Sequence, residues 1–293
     1  MKKMLLYILF FVLFFACSNS EKVITKRKNE IISEVLTDSV FTHGIEGPAV
    51  NSKGDLFVVN FKKQGIIGIL KRSKKEFETF IDLPSGSVGN GIRFDSKDNM
   101  FIADYTNHNI LWIENGTKEI EVLCHSDSIN QPNDLALHPN LSIGYASDPN
   151  WKNGTGNLLS FSKKGIDVIE TDMGTTNGIE VSPDGKYLYV NESVQTRIWR
   201  YEINDVGELY NKQLFIRFEG FGMDGMRCDY DGNLYLARYG KGVVCKISPE
   251  GKLLEEIKLN GDKPTNLTFA YQSNKVLFVT IQEKKWVEKI ILP

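Results

Sequence analysis

Six oxygen-bearing side chains recur in this sequence at one fixed position of a repeating pattern: Glu46, Asn90, Asn133, Asn177, Asp224 and Asn266. Each opens an apolar stretch, as in Glu46-Gly-Pro-Ala-Val, Asn90-Gly-Ile-Arg-Phe and Asp224-Gly-Met-Arg-Cys, and none is Lys or Arg. Two carboxylates and up to four amide oxygens, brought to one point, form a hard donor set. Calcium suits such a set, because it takes about six to eight oxygens and lets water complete the shell. No His or Cys stands in phase with the six. That argues against copper, iron and a sulfur-rich zinc site, and leaves magnesium, manganese and an oxygen-bound zinc open. Asn and Asp also start strands for purely structural reasons, since they cap turns, and Asn-Gly is a turn signal by itself. The shared phase of all six is what points to a site.

The elements that must position these residues are equally periodic. Each of the six lies five residues before a polar turn, and the turns begin at 51, 95, 138, 182, 229 and 271. A strand of alternating β-branched and aromatic residues follows, clearly at 51–59, 95–103, 182–190 and 229–237 and more weakly at 138–146 and 271–279. About ten residues on comes another strand, at 66–70, 110–113, 158–161, 197–201, 243–247 and 286–290. A shorter outer one is legible at 77–81, 119–123 and 253–257. Four strands at a period of 42 to 47 residues mark the blades of a propeller. No segment has sustained helical periodicity. The expectation is an all-β, six-bladed β-propeller over residues 30–293. Its last copy has three strands, and the free strand at 31–36 is expected to supply the fourth and close the ring. Equal phase in a radial repeat means equal height around the central channel, so six oxygen-bearing side chains should face one axis.

The chain has 293 residues and a formal net charge of −2, long enough for a large core. That charge carries no basic footprint for nucleic acid. The N-terminus differs from the rest: Lys2 and Lys3 precede an almost wholly apolar run from Met4 to Ala16, and Cys17 follows at once. A short apolar segment behind lysines reads as an export signal. Its stop at a Cys resembles a bacterial lipobox. Residues 1–16 are thus expected to be a lipoprotein signal peptide, Cys17 the lipidated residue, and 17–29 a polar tether. An exported lipoprotein of the periplasm, outer membrane or cell surface would meet the membrane through that anchor only. Cys124, Cys228 and Cys245 remain, an odd and scattered set with no C-x-x-C, so neither a disulfide framework nor a thiolate metal site is expected.

The ends of the second strands return to the face that carries the ring. They read Asn60-Phe61, Asp104-Tyr105, Asp148, Trp151, Glu192, Arg238-Tyr239 and Gln282. They are expected to wall a pocket above the ring, with Arg238 neutralising a substrate anion and Tyr105, Trp151 and Tyr239 stacking on a sugar or aromatic ring. Asn90, Asp148, Trp151, Arg238 and Asn266 are the candidates for substrate or supporting contacts. Arg93 and Arg227 lie three residues past a ring position, where the period of two predicts that a side chain points away from the axis.

The motifs Glu46-Gly-Pro, Pro132-Asn133-Asp134, Asn177-Gly, Asp224-Gly and Asp148-Pro resemble the gluconolactonase, regucalcin (senescence marker protein) and diisopropylfluorophosphatase-like group of six-bladed propellers. The likeness covers nearly the whole chain after residue 40. It implies that Glu46, Asn177 and Asp224 ligate one divalent metal directly. It implies further that Asn133 is a fourth ligand or holds a metal-bound water or substrate. In that group the acid matching Asp224 activates water or attacks directly, and the metal polarises the carbonyl of a small-molecule lactone or related ester. The arginine and acid with which regucalcin-type members bind sugar lactones have no clear match here. A metal-dependent hydrolase is therefore the leading expectation. A non-catalytic envelope propeller, binding a glycan or protein partner around a structural calcium, is the second.

Overall fold

The computed structural model describes residues 31–293, which form twenty-four strands in six four-stranded antiparallel sheets and no helix. The expected signal peptide at 1–16, Cys17 and the expected tether at 17–29 lie outside the described residues. The sheets are the six blades expected from the repeat, arranged as a propeller.

Blade one shows how the sequence builds each unit. Its strands run Phe41–Val50, Leu56–Phe61, Ile66–Leu70 and Glu78–Asp82 from the axis outward. The two middle strands are buried at every residue, because both of their faces are covered by neighbouring blades; they accordingly read as continuous apolar runs. The outermost strand is mostly exposed and carries charge. The turn between the first two strands uses one device in blades one, two and five. The side-chain oxygen of Asn51, Asp95 or Asp229 accepts the backbone N–H groups two and four residues on, at 2.8–3.1 Å. Apolar side chains interdigitate between blades, such as Val59, Ile67, Ile92, Ile102 and Leu111 between blades one and two. Cys124 and Cys245 are buried and Cys228 half-buried, all three unbridged.

The N-terminal strand closes the ring as its sequence suggested. Ile32–Val35 pairs antiparallel with Trp286–Ile291, setting Ile32 opposite Ile291 and Val35 opposite Glu288. The buried Glu288 carboxylate ties the seam, accepting from Ser33 Oγ at 2.9 Å and from the Asn260 N–H at 3.0 Å. At the axis the last blade meets the first, where Thr265 Oγ1 donates to Ile45 O at 2.9 Å.

Removing residues 1–36 strips the outer strand from blade six and leaves Glu288 buried with fewer donors. The thermal midpoint is expected to fall by roughly 5–10 °C, with aggregation through the bared edge. Calorimetry and light scattering test this; an unchanged midpoint would show that the strand is not part of the closure.

Candidate metal centre and its pocket

The ring residues sit where the innermost strands are forced together around the axis. Four of them are followed by glycine, and the reason is proximity to the next blade. A Cβ on Gly47 would lie 1.9 Å from Asn90 O, one on Gly178 would lie 2.3 Å from Asp224 O, and one on Gly225 would lie 2.0 Å from Asn266 Cγ. A Cβ on Gly91 would press on Asn133 O and the Asp134 side chain. Gly47 alone of these has a positive φ, +56°. For the other three the turn explanation of X-Gly fails and close packing replaces it. Asn90 Nδ2 then donates to Asn133 O at 3.1 Å, linking one ring position to the next.

Five of the six ring residues, Glu46, Asn90, Asn133, Asn177 and Asp224, line the floor of a cavity of about 460 Å³ on the axis. The sixth, Asn266, does not reach it. Its Oδ1 accepts the Leu267 N–H at 2.8 Å, and its amide supports the Glu46 carboxylate from the side. The expectation of six equivalent side chains thus becomes five plus a prop. Tyr105, Trp151, Tyr239 and Gln282 wall the cavity, as the sequence suggested.

Electrostatics set Glu46 and Asp224 apart from ordinary carboxylates. Burial, reinforced by the charge of Asp134, pushes Glu46 up to about 7, against the pull of the Gly47 N–H 2.5 Å from its Oε2 and of Asn266. Burial also raises Asp224 well above the usual carboxyl range, with the charges of Glu46 and Asp134 adding to it. Beneath them lies a network absent from the sequence expectations. Arg93 bonds Asp134 Oδ1 at 3.0 Å, reaches Ile179 O at 3.2 Å and lies 3.5 Å from Glu180; Arg227 meets Asp134 at 3.4 Å. Burial alone would raise Asp134, but the two guanidiniums outweigh it and hold that carboxyl low.

Arg93 and Arg227 therefore face the axis, contrary to the period-two expectation. The reason is a bulge. Three steps along the inner strand match two on its partner between Gly89 and Ile92, and again between Glu46 and Ala49, Thr176 and Ile179, and Pro264 and Leu267. One extra residue reverses the parity, so a residue three past the ring shares the ring's side. The same insertion brings Glu180 onto the axis under Asn177.

Five further expectations are corrected: Phe61, Asp104, Asp148, Glu192 and Arg238 do not line the pocket, and all five are buried. Asp148 accepts from the Gln131 N–H at 2.6 Å, from Asn157 at 2.7 Å and from Asn130 at 3.1 Å, so it orders the approach to Asn133. Arg238 donates to Gly220 O at 2.5 Å and Gly222 O at 3.3 Å, with its guanidinium over the Phe218 ring, ordering the approach to Asp224. Asp104 does the same for the loop before Asn90 through Ser87 Oγ and the Val88 N–H. Glu192 is held by Arg197 and Trp199. An uncompensated charge at these buried positions would be costly, and the loop N–H and C=O groups supply the compensation.

The residues fit a hard divalent cation. Along the axis stand four carboxyl groups, Glu46, Asp134, Glu180 and Asp224, against two guanidiniums, Arg93 and Arg227, so full ionisation leaves two negative charges unbalanced. Among the described residues no three His, Cys, Asp or Glu side chains gather as a metal cluster, so any cation here must draw on amide oxygens or water beside Glu46 and Asp224.

Comparison with known proteins agrees with this architecture. Residues 45–283 match the family model described as SMP-30/Gluconolactonase/LRE-like region, and the chain belongs to that family. Diisopropyl-fluorophosphatase of Loligo vulgaris is 29% identical over 282 residues, covering 84% of this chain and 88% of that one. The 6-deoxy-6-sulfogluconolactonase of Pseudomonas putida is 29% identical over 135 residues, 45% of this chain and 46% of that one, so the chain spans less than half of that relative. Regucalcin from Agrobacterium tumefaciens, described as a calcium-binding protein, has the same fold, with a TM-score of 0.76 at 19% identity over 90% of this chain and 96% of that one.

The Gly225 contact gives a direct test of the packing. Gly225→Ala must displace Asn266, and with it the prop of Glu46, at a cost of about 2–3 kcal/mol in urea unfolding. An unaltered midpoint would refute the close approach at the axis.

Proposed function

We propose that this protein is a divalent-cation-dependent hydrolase of lactones or related esters, with calcium as the cation and Asp224 as the proton-transfer group. The observation that carries the reading is the pair of carboxyls, Glu46 and Asp224, set with amides on the floor of an open axial cavity whose charge is short by two positive units. Membership of a family named for gluconolactonase supports the reaction class. Glu46, Asn133, Asn177 and Asp224 would hold the cation, with Asn90 and Asn266 outside that set. Bound there, it would polarise the ester carbonyl and stabilise the developing oxyanion, which is worth several kcal/mol in such sites.

The chain's own residues do the remainder. Asp224 stands on the cavity wall, with its carboxylate against Asn177. It accepts a proton from a water molecule as the water oxygen bonds to the carbonyl carbon. As the ring C–O bond breaks, the same proton passes to the departing oxygen, leaving a hydroxy acid. Glu46, propped by Gly47 and Asn266, keeps its position through the cycle. Tyr105, Trp151 and Tyr239 narrow the entrance and exclude bulk water.

Two measurements test this together. Calcium at about a hundredfold excess over its Kd is expected to stabilise the parent by roughly 2.7 kcal/mol in thermal unfolding. Asp224→Asn is expected to lower kcat/KM on a responsive lactone by about 10²- to 10⁴-fold while the fold survives. Lactone turnover by that variant at the parent's rate would sink the mechanism. The second reading, a non-catalytic glycan-binding propeller, is favoured by the aromatic rim at Trp151 and Tyr239. It predicts calcium stabilisation with no turnover across the lactone panel.

Cys17 carries the localisation part of the proposal: an exported lipoprotein tethered at the envelope. Labelled fatty acid should enter the parent and not Cys17→Ser. Equal labelling of both would exclude that anchor.

A further inference from the structure

The axial cavity continues sideways. Between blades three, four and five it adjoins a second cavity of about 480 Å³, and the two share Trp151, Ser193 and Tyr239. The annex is finished by Val194, Thr196 and the loop at 220–222, which carries Phe221. Three large apolar side chains stand open around it: Trp151 is 47% exposed, Phe221 55% and Val194 64%. Isolated exposed apolar residues need no explanation, but a contiguous group lining a cavity beside a reaction site does.

The fold holds these side chains in place. Phe221 has a φ of 56°, a region uncommon for an aromatic residue. Its loop is fixed from below by Arg238 through Gly220 O and Gly222 O, and from the side by the Gly222 N–H to Tyr239 O at 2.9 Å. Thr196, also at positive φ, donates Oγ1 to Phe218 O at 2.8 Å, so its hydroxyl proton is already engaged. Glu46 and Asp224, on the axial floor, are the charged residues lining either cavity. Lys263 lies over the Tyr239 ring but lines neither.

We infer that the annex is a substrate subsite for an apolar, flat or branched substituent, so that the natural substrate is an uncharged lactone or ester with an aryl or alkyl arm. This rests on the hydrolase reading above. With the carbonyl over the axial ring, an arm of a few carbons reaches between Trp151 and Phe221. There it gains apolar burial, whereas a phosphate, sulfonate or carboxylate arm meets no cation and a polyol arm meets few free donors. Because the annex shares Trp151, Ser193 and Tyr239 with the axial cavity, a substrate arm is the occupant we assign to it.

The test separates this inference from the reaction on which it rests. Two δ-lactams, one unsubstituted and one bearing a benzyl group, keep the ring carbonyl and resist hydrolysis. Their binding to the calcium-loaded full chain is measured by calorimetry. The parent is expected to prefer the benzyl lactam by about tenfold, equivalent to about 1.4 kcal/mol. Phe221→Ala and Trp151→Ala should each bring the ratio to within about threefold, while Phe221→Leu retains most of it. Circular dichroism confirms that each variant is folded. A parent ratio near one, or a ratio that both alanine variants leave intact, overturns the subsite. Failure of the parent to hydrolyse the corresponding lactones overturns the reaction instead, and a surviving ratio would leave the annex as a ligand site without that chemistry.

Discussion

The close approach of the inner strands at the axis is the constraint on which the rest of the structure depends. A ring of ligand-type side chains converges on one point only if the backbones behind it nearly touch. Gly47, Gly91, Gly178 and Gly225 make that possible by leaving no Cβ where the next blade passes. The bulge beside the ring residue in blades one, two, four and six is the second half of the device. It bends the strand locally and puts two residues of each blade on the axial side instead of one. The Arg93 and Glu180 members of the ionic layer are therefore products of the same backbone irregularity.

That doubling explains the unusual chemistry of the channel. Four carboxyls and two guanidiniums in one buried column would be costly if each charge stood alone. Arg93 spans blades two, three and four, and Arg227 joins from blade five, so that Asp134 is held by both. Glu46 and Asp224 receive no such partner and retain raised proton affinity, from burial first, then from Asp134 at Glu46 and from Glu46 and Asp134 at Asp224. A structural layer satisfied by internal arginines thus lies under a carboxyl layer left short of positive charge. The two layers differ by three residues in blades two, four and five and by one in blade three, where Asp134 follows Asn133.

Much of this was legible in the sequence. The period of 42 to 47 residues and the fixed offset of five gave the blade count, the ring positions and the closing strand, because repeats transmit phase faithfully. Phase does not transmit parity across a bulge, which is why Arg93 and Arg227 face the axis although a period of two points them away from it. The outer strands Gly165–Met173 and Leu209–Arg217 escaped notice for another reason. They are mostly exposed on both faces, so burial imposes no alternation on their residues. Asp134 left a faint signal, standing where four of the other ring residues are followed by glycine.

The ends of the second strands show most clearly where periodic reading stops. Asn60, Asp104, Asp148, Glu192, Arg238 and Gln282 lie nine to eleven residues past the turn starts, a looser phase than the ring's, and of these only Asn60 and Gln282 line the cavity. Height on the axis is fixed by phase, but direction is fixed by which unsatisfied groups lie within reach. The loops leading to Asn90, Asn133 and Asp224 carry backbone N–H and C=O groups that no strand pairs, and the buried charged side chains of Asp104, Asp148 and Arg238 are their partners. Asp148 serves three donors in its loop and Arg238 the carbonyls of 219, 220 and 222. These loops differ in length and apolar content from blade to blade, while the ring below them is nearly invariant within the chain. Specificity can therefore change in the rim without disturbing the floor, since each rim loop is tied to its own brace. At Phe221 the guanidinium that was expected to meet a substrate instead fixes the loop that carries an exposed aromatic ring.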